Sequence, residues 1–119
     1  MTFDQLAAYL GSKPNATDDY PFDEEVRVYR IGGKIFALTA DKTPLSVNLK
    51  CDPIYALELR ALYTGIVPGY HMNKKHWNTI DLSEASDVDA ETVRELIDHS
   101  YEIVFGSLTR KLQRELGGG

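Results

Sequence analysis

The segment "VRVYRIGGKIFALTA", residues 26–40, decides the fold that the sequence predicts. Residues 26–31 alternate and are rich enough in β-branched side chains for a strand, and residues 34–40 have the character of its return strand. Gly32 and Gly33 lie between them and suit the positive φ angles of a two-residue turn. The segment therefore predicts an antiparallel β-hairpin, from which the remaining elements can be placed.

The hairpin is flanked by a helix before it and a third strand after it. Thr2 and Gln5 have the spacing of a capping box, which predicts a helix from Phe3 to about Leu10. The polar segment that follows this helix is expected to be a long connection without regular structure. Residues 45–50, "LSVNLK", alternate between apolar and polar side chains, which predicts a half-buried strand.

Two more helices are predicted further along the chain. Asp52 and Pro53 are typical of an N-cap and a first helical position, so a helix should run from there to about Tyr63. A last, long helix should be capped by Asp87 or Asp89. Its apolar stripe recurs at spacings of three and four residues and consists of Val93, Leu96, Ile97, Tyr101, Val104, Leu108 and Leu112.

Between these helices lie two short extended segments, residues 66–72 and 76–82, joined by "NKK" at residues 73–75. Pro68 and Gly69 are unfavourable in a central strand, so the first segment is expected at an edge or a bulge. We expect the two segments to form a second hairpin.

The predicted order is therefore α-β-β-β-α-β-β-α. Antiparallel hairpins with helices on one face predict an α+β fold of two layers with a five-stranded antiparallel sheet. Residues 1–116 are expected to form a single domain, since a chain of 119 residues is long enough for one core. The glycines at 117–119 are expected to be a disordered tail.

Composition indicates a soluble protein, with 43% hydrophobic and 26% charged residues. No stretch approaches the roughly 18 apolar residues of a membrane span, and the first residues do not resemble a secretory signal. Cys51 is the only cysteine, which excludes an internal disulfide and fits a reducing compartment. We therefore expect a cytoplasmic protein that does not bind membranes and is a monomer.

The charge of the chain is unevenly distributed. The net charge is −5, which argues against indiscriminate binding to nucleic acid. Acidic residues concentrate in residues 1–25 and again in residues 81–98, whereas Lys74 and Lys75 lie apart from both acidic regions. A local basic patch is therefore compatible with the acidic total.

Motifs of nucleotide-binding loops, zinc proteases and paired-cysteine sites are absent. His71 and His76 flank the "NKK" turn, but no third ligand lies at a recognisable spacing, so we predict no metal and no cofactor. Cys51 precedes a helix and follows Lys50, which favours a thiolate, whereas Asp52 opposes it. A buried, unreactive cysteine is the favoured interpretation, and a reactive thiol is the alternative.

The second hairpin is the main candidate for a functional surface. Lys74 and Lys75 at a turn can contact phosphates, and asparagines can bond to phosphates or base edges. Trp77 or a neighbouring ring could stack on unpaired bases. The alternative is a solvated turn with Trp77 in the core.

Several stretches together resemble the MmcQ/YjbR family: "YPFDEEVRVYRIGGKIFALTA", "LKCDP" before a helix, "PGYHMNKKHWNTI" and "LIDHSYEIVFGSLTRKL". The resemblance covers roughly residues 2–112 and implies the same order of helices and strands. It also implies DNA binding through two hairpin wings, one turning at Gly32-Gly33 and the other at residues 73–75. The second wing contains the polar block of the family, which consists of Tyr70, His71, Asn73, Lys74, Lys75, His76, Trp77 and Asn78.

The leading hypothesis from the sequence is a small, non-enzymatic module that binds single- or double-stranded DNA weakly through the second wing. One alternative is a protein-interaction domain that uses an open sheet face or an edge strand. The other is a small ligand-binding protein or enzyme that uses the histidine, asparagine and tryptophan cluster, with or without Cys51.

Overall fold

The structure is a computed structural model that describes residues 1–69 and 72–117. The strands in these residues are β1 (Thr17–Asp19), β2 (Val26–Ile31), β3 (Lys34–Ala40), β4 (Ser46–Lys50), β5 (Ile66–Pro68) and β6 (Trp77–Asp81). The helices are α1 (Phe3–Gly11), α2 (Pro53–Leu62), α3 (Ala90–Gly106) and α4 (Arg110–Gly117). The strands form one antiparallel sheet with the spatial order β1-β2-β3-β4-β6-β5. The predicted α+β class with an antiparallel sheet is thus confirmed.

The turn between β2 and β3 is the one that the glycine pair predicts. Gly32 and Gly33 have φ angles of 59° and 82°, a region that side chains with a Cβ atom rarely adopt. At Gly32 a Cβ atom would also lie 2.6 Å from the Cδ1 atom of Leu108. The hairpin therefore requires glycine at this position both for its backbone angle and for its packing.

A bulge in β3 is completed by a side chain from α3. Phe36 is the extra residue where the register of β2 and β3 shifts. The Ser100 hydroxyl donates to the Phe36 carbonyl at 2.6 Å and accepts from the Lys50 amide at 2.9 Å. Ser100 is fully buried, so its hydroxyl satisfies two backbone groups that the bulge would otherwise leave without partners.

The core lies between the sheet and helices α1, α2 and α3. Ile97 and Val104 have exposed fractions of 0% and 1%, which confirms that α3 lies across the sheet through its apolar stripe. Other buried members of this core come from all three helices and from the sheet: Leu6, Leu10, Tyr29, Phe36, Val47, Leu49, Ala56, Leu59, Ile80 and Val93.

The structure has one strand more than the five predicted. Strand β1 lies within the polar segment that was expected to be an unstructured connection, and it pairs with β2. Its Asp18 and Asp19 form ion pairs with Arg27 and Arg30 of β2. Because these partners are contributed by a neighbouring strand, local propensity gives little indication of β1.

The prediction of a single long helix at the C-terminal end is wrong, because the chain forms two helices there, α3 and α4. Helix α3 ends at Gly106, and the Thr109 hydroxyl accepts from the Leu112 amide at 3.2 Å at the start of α4. Gly117 is the last residue of α4, and residues 118–119 lie outside the described part of the chain. Among the described residues, no helix has both the length and the hydropathy needed to cross a membrane.

The strand register leaves one face of the sheet without a helix, which we call the open face. Burial alternates along β4 and β6, and the buried residues of both strands face the helices. The intervening side chains belong to the open face, where Asn48 pairs with Thr79 and Lys50 pairs with Trp77. The apolar side chains of Val26, Leu38 and Ala40 continue this face on the neighbouring strands.

Candidate nucleic-acid interface

The predicted site residues fall into three groups by exposure. Asn73, Lys74 and Lys75 are exposed, and His76 and Trp77 are half-buried. Asn78 is buried, with an exposed fraction of 2%. Tyr70 and His71 lie outside the described residues, so the predictions for these two residues and for a pairing of His71 with His76 stay predictions.

The loop between β5 and β6 spans residues 69–76, and backbone hydrogen bonds hold its described residues, Gly69 and residues 72–76. The Gly69 amide donates to the Trp77 carbonyl at 2.8 Å, and the Trp77 amide donates to the Asn73 carbonyl at 3.0 Å. A Cβ atom at Gly69 would lie 2.8 Å from the Cβ atom of Trp77, so this position requires glycine for close approach. The Asn73 side-chain oxygen accepts from the Lys75 amide at 3.0 Å, so it already has a partner within the turn.

Arg60 of α2 holds this loop from the side of the helices. Its Nε atom donates to the side-chain oxygen of Asn78 at 2.6 Å, and its Nη2 atom donates to the carbonyls of Lys74 and of Trp77. The sequence did not indicate this residue, because it lies on a helix 18 positions before Asn78 and its contacts depend on the packing of α2 against β5 and β6. A single guanidinium thus joins the backbone at Lys74 to the start of β6.

The role of Asn78 as a contact for phosphates or base edges stays a prediction, although the structure places this side chain in the interior. Its side chain faces the helices because β6 is half-buried and Asn78 alternates with Trp77 on the core side. The oxygen is bonded to Arg60, and the amide nitrogen has no hydrogen-bond partner among the described residues. Through this bond Asn78 is linked to the guanidinium that also contacts the loop.

The loop that carries Lys74 and Lys75 leads into strand β6 opposite a further lysine, Lys50. Lys74 and Lys75 take part in none of the ion pairs found among the described residues. Lys50 is the register partner of Trp77, and the Cys51 amide donates to the His76 carbonyl at 2.8 Å. Lys50 and the half-buried Trp77 thus belong to the end of the open face that follows the loop carrying Lys74 and Lys75.

The first wing implied by the resemblance differs electrostatically from the second. Arg27 and Arg30 form ion pairs with Asp18 and Asp19 at 2.9 and 3.1 Å. The Lys34 ammonium donates to the Ser107 carbonyl at 3.3 Å, at the C-terminal end of α3. The cations of the first wing thus have partners within the protein, so the two wings are unequal as phosphate-binding surfaces.

The "DHSY" segment of α3 connects four parts of the fold. The Asp98 carboxylate accepts from the Tyr9 hydroxyl at 2.7 Å and from the Lys13 ammonium at 2.5 Å. His99 packs edge-on against the ring of Tyr55, with ring centres 5.1 Å apart. Ser100 completes the bulge of β3, and Tyr101 donates its hydroxyl to the Pro14 carbonyl. In these contacts the segment joins α3 to α1, to α2 and to the sheet.

Cys51 has the properties of a buried, unreactive thiol. Its exposed fraction is 4%, and burial together with the nearby Asp52 carboxylate raises the pKa of the thiol to about 11 against a smaller opposing effect of Arg60. The neutral thiol is therefore favoured over the thiolate, despite the nearby helix N-terminus and Lys50. Within residues 1–69 and 72–117, no three His, Cys, Asp or Glu side chains come together in a way that could hold a metal ion.

Comparison with known proteins identifies the family. The YjbR family profile matches residues 11–103. The Escherichia coli O157:H7 protein YbdF is 38% identical over 101 residues, which cover 84% of this chain and 81% of YbdF. The Bacillus subtilis protein YyaQ is 42% identical over 118 residues, which cover 87% of this chain and 98% of YyaQ. Both relatives are described only as uncharacterized proteins.

Solved structures agree with this assignment. A Deinococcus radiodurans protein with a DUF419 domain superimposes with a TM-score of 0.90 at 37% identity, covering 98% of this chain and 88% of that one. A Pseudomonas syringae protein superimposes with a TM-score of 0.75 at 28% identity, covering 87% and 99% of the two chains. The chain therefore belongs to the YjbR family.

Proposed function

We propose that this protein binds nucleic acid without catalysing a reaction, and that the loop of residues 69–76 contacts the phosphates. The observation that carries the proposal is the pair Lys74 and Lys75, which are exposed and unpaired within the described residues on a loop held by Arg60. A cation that is already paired must lose its partner before it binds a phosphate. These two lysines do not incur that cost.

The hydrogen-bonded backbone around Lys74 and Lys75 supports the same proposal. Ordering a flexible segment on binding costs conformational entropy, which reduces the affinity of each contact. Here the backbone of the turn is held by the Gly69 and Asn73 hydrogen bonds and by the Arg60 guanidinium. The backbone that carries these two lysines therefore does not have to be ordered when a phosphate binds.

The distribution of charge favours a short single strand over a long duplex. The first wing contributes no unpaired arginine among the described residues, and the chain as a whole carries a net charge of −5. A duplex tracked by two wings would need cations on both, whereas a few nucleotides of single strand need only one basic end and a ring for stacking. Trp77, half-buried beside Lys50, provides that ring. Affinity should be weak and strongly dependent on salt.

Trp77 is the only tryptophan of the chain, so its fluorescence reports directly on the proposed site. The protein is titrated at low ionic strength with a single-stranded oligothymidine of about twelve nucleotides, within the site sizes known for single-strand binders, and with a duplex of the same length. We expect saturable quenching that is stronger for the single strand and is reversed by added salt. Absence of any response to both ligands at low salt would refute the proposal.

A protein-interaction role is the second candidate, because α2 presents large apolar side chains to solvent. Ile54, Leu57 and Leu62 have exposed fractions of 71%, 63% and 72%. Large apolar side chains that are exposed on one element can mark a contact surface. Concentration-dependent self-association in sedimentation velocity that is abolished by Leu57→Glu would favour this candidate over nucleic-acid binding.

A further inference from the structure

A groove runs across the open face at the end that lies away from Lys50. Its volume is about 610 Å³, which is within the range of about 300–1,000 Å³ typical of small-molecule sites. The floor consists of apolar side chains from β2 and β3 together with polar ones from β4 and β6. The main floor residues are Val26, Ile35, Leu38, Ala40, Asn48 and Thr79.

Phe22 and Met72 are among the residues outside the sheet that line this groove. Phe22, in the segment before β2, has an exposed fraction of 67%, and Met72 belongs to the loop between β5 and β6. An exposed aromatic ring beside an apolar floor can bury surface against a ligand without rearrangement of the fold. The groove therefore suits the apolar part of a molecule of moderate size.

The charge at one end of the groove is negative. A second hollow of about 300 Å³ adjoins the groove at Ala40 and Lys42, and its lining includes the carboxylates of Glu24, Glu25 and Asp41. None of these three carboxylates takes part in an ion pair among the described residues. Lys42 is the only basic residue in the lining of either hollow, so the carboxylates outnumber it.

Aromatic rings lie next to these carboxylates. Phe3 and Tyr20 line the acidic hollow, and Tyr20 has an exposed fraction of 48%. Aromatic faces and carboxylates both attract organic cations, the first through the ring quadrupole and the second through charge. An anionic group would be repelled from the same position.

We propose that the groove and the adjoining acidic hollow together bind a small amphiphilic organic cation. The apolar body lies on Leu38 and Ala40 against Phe22, and the ammonium group lies among Glu24, Glu25 and Asp41. This inference does not rest on nucleic-acid binding: Met72 of the loop also lines the groove, but nucleic-acid binding depends on the ammonium groups of Lys74 and Lys75, whereas binding of the cation depends on the carboxylates of the acidic hollow. The two can therefore fail independently.

The charge preference is tested with three ligands that share one apolar chain. Octylammonium, octanol and octanoate are titrated separately into the ¹⁵N-labelled protein at neutral pH, below their micelle concentrations. We expect the amides of Val26, Leu38 and Ala40 to shift and the affinity to decrease from octylammonium to octanol to octanoate. Equal affinity for the three ligands, tighter binding of octanoate, or shifts centred on the exposed side of α2 would overturn the proposal.

Two variants test separately how the apolar contact and the charge contribute to the affinity. Phe22→Ala alters a largely exposed side chain and should lower the affinities for octylammonium and for octanol by the same factor. The double variant Glu24→Gln and Glu25→Gln should lower the affinity for octylammonium by about two- to fivefold, in keeping with exposed ion pairs, and leave octanol unchanged.

The matched control removes two exposed carboxylates from the helical side of the molecule, through Glu58→Gln and Glu95→Gln. It should alter neither affinity. If the control lowers the affinity for octylammonium as much as the change at Glu24 and Glu25 does, the preference reflects net charge and the assigned site is wrong. The assignment is also wrong if Phe22→Ala leaves both affinities unchanged.

Discussion

The Nε atom of Arg60 lies 2.6 Å from the side-chain oxygen of Asn78, and this contact joins helix α2 to the strand that follows the basic loop. The same guanidinium bonds to the carbonyls of Lys74 and Trp77. Buried Asn78 and exposed Lys74 are thereby linked through one side chain. Residues of the family's polar block thus divide into those that hold the loop and those that face solvent.

Replacement of Arg60 by alanine should release the loop and destabilise the fold. The variant leaves the buried Asn78 side-chain oxygen without its donor, and an unsatisfied buried polar group costs about 1–3 kcal/mol. Urea unfolding should show a loss of that size, and the amides of residues 72–76 should exchange faster with solvent. Arg110→Ala, on an exposed position of α4, is the control and should change neither quantity. Unaltered exchange in the loop would show that Arg60 does not hold it.

Removal of the Ser100 hydroxyl should destabilise the protein although the change in volume is small. The hydroxyl bonds to the Phe36 carbonyl and the Lys50 amide, and both are left without a partner in Ser100→Ala. We expect a decrease of about 1–3 kcal/mol in the free energy of unfolding. Ser107→Ala removes a hydroxyl from an exposed helix end and should cost less. Equal losses for the two variants would contradict the role assigned to Ser100.

The Asp98 contacts predict a specific pH dependence. Burial acts to raise the pKa of the Asp98 carboxyl, but the hydrogen bonds from Lys13 and Tyr9 outweigh it and hold the pKa below its usual value. A carboxyl whose pKa is lower in the folded state stabilises the protein above its unfolded pKa of about 3.9 and loses that contribution as pH falls through the folded value. The wild type should therefore lose more stability in acid than Asp98→Asn does, measured as the urea midpoint against pH. Parallel curves for the two proteins would contradict this assignment.

Cys51 should react slowly with a thiol reagent in the native state at neutral pH. Only the thiolate reacts, and burial raises the pKa of this thiol to about 11, so little thiolate is present and access is restricted. The reaction should become fast after denaturation in urea. Rapid labelling of the native protein would restore the hypothesis of a reactive cysteine.

Local signals in the sequence were sufficient for most elements of the fold. The Gly32-Gly33 turn, the Thr2 and Gln5 capping box, and the start of α2 at Asp52-Pro53 each depend on residues that are close in the chain. Hydrogen bonds confirm both halves of the capping box, at 2.9 and 3.1 Å. The physical reason is that caps and tight turns satisfy backbone groups within a few residues.

Features that depend on distant partners could not be predicted in this way. Strand β1 is short and acidic, and its ion pairs are with arginines of the next strand. Asn78 was placed on the contact surface because it is polar and near a turn, whereas the register of β6 directs it inward to Arg60. Lys74 and Lys75 are exposed, as their position in a turn predicts. Arg60 could not be identified from the sequence, because its contacts form only when α2 packs beside the loop.

Reversal of charge at Lys74 and Lys75 should weaken nucleic-acid binding and leave the free energy of unfolding almost unchanged. Both side chains are exposed at a turn, and surface substitutions of this kind usually change stability by less than about 0.5 kcal/mol. The double variant Lys74→Glu and Lys75→Glu should reduce the slope of log K against log salt by about 1.4 on single strands, or by about 1.8 on a duplex, if both lysines contact phosphate. The control, Arg110→Glu with Lys111→Glu, makes the same change of net charge at exposed positions of α4. Fluorescence titrations of the three proteins over a range of salt concentrations give the slopes, and an equal decrease in the control would mean that net charge, and not the loop, determines binding.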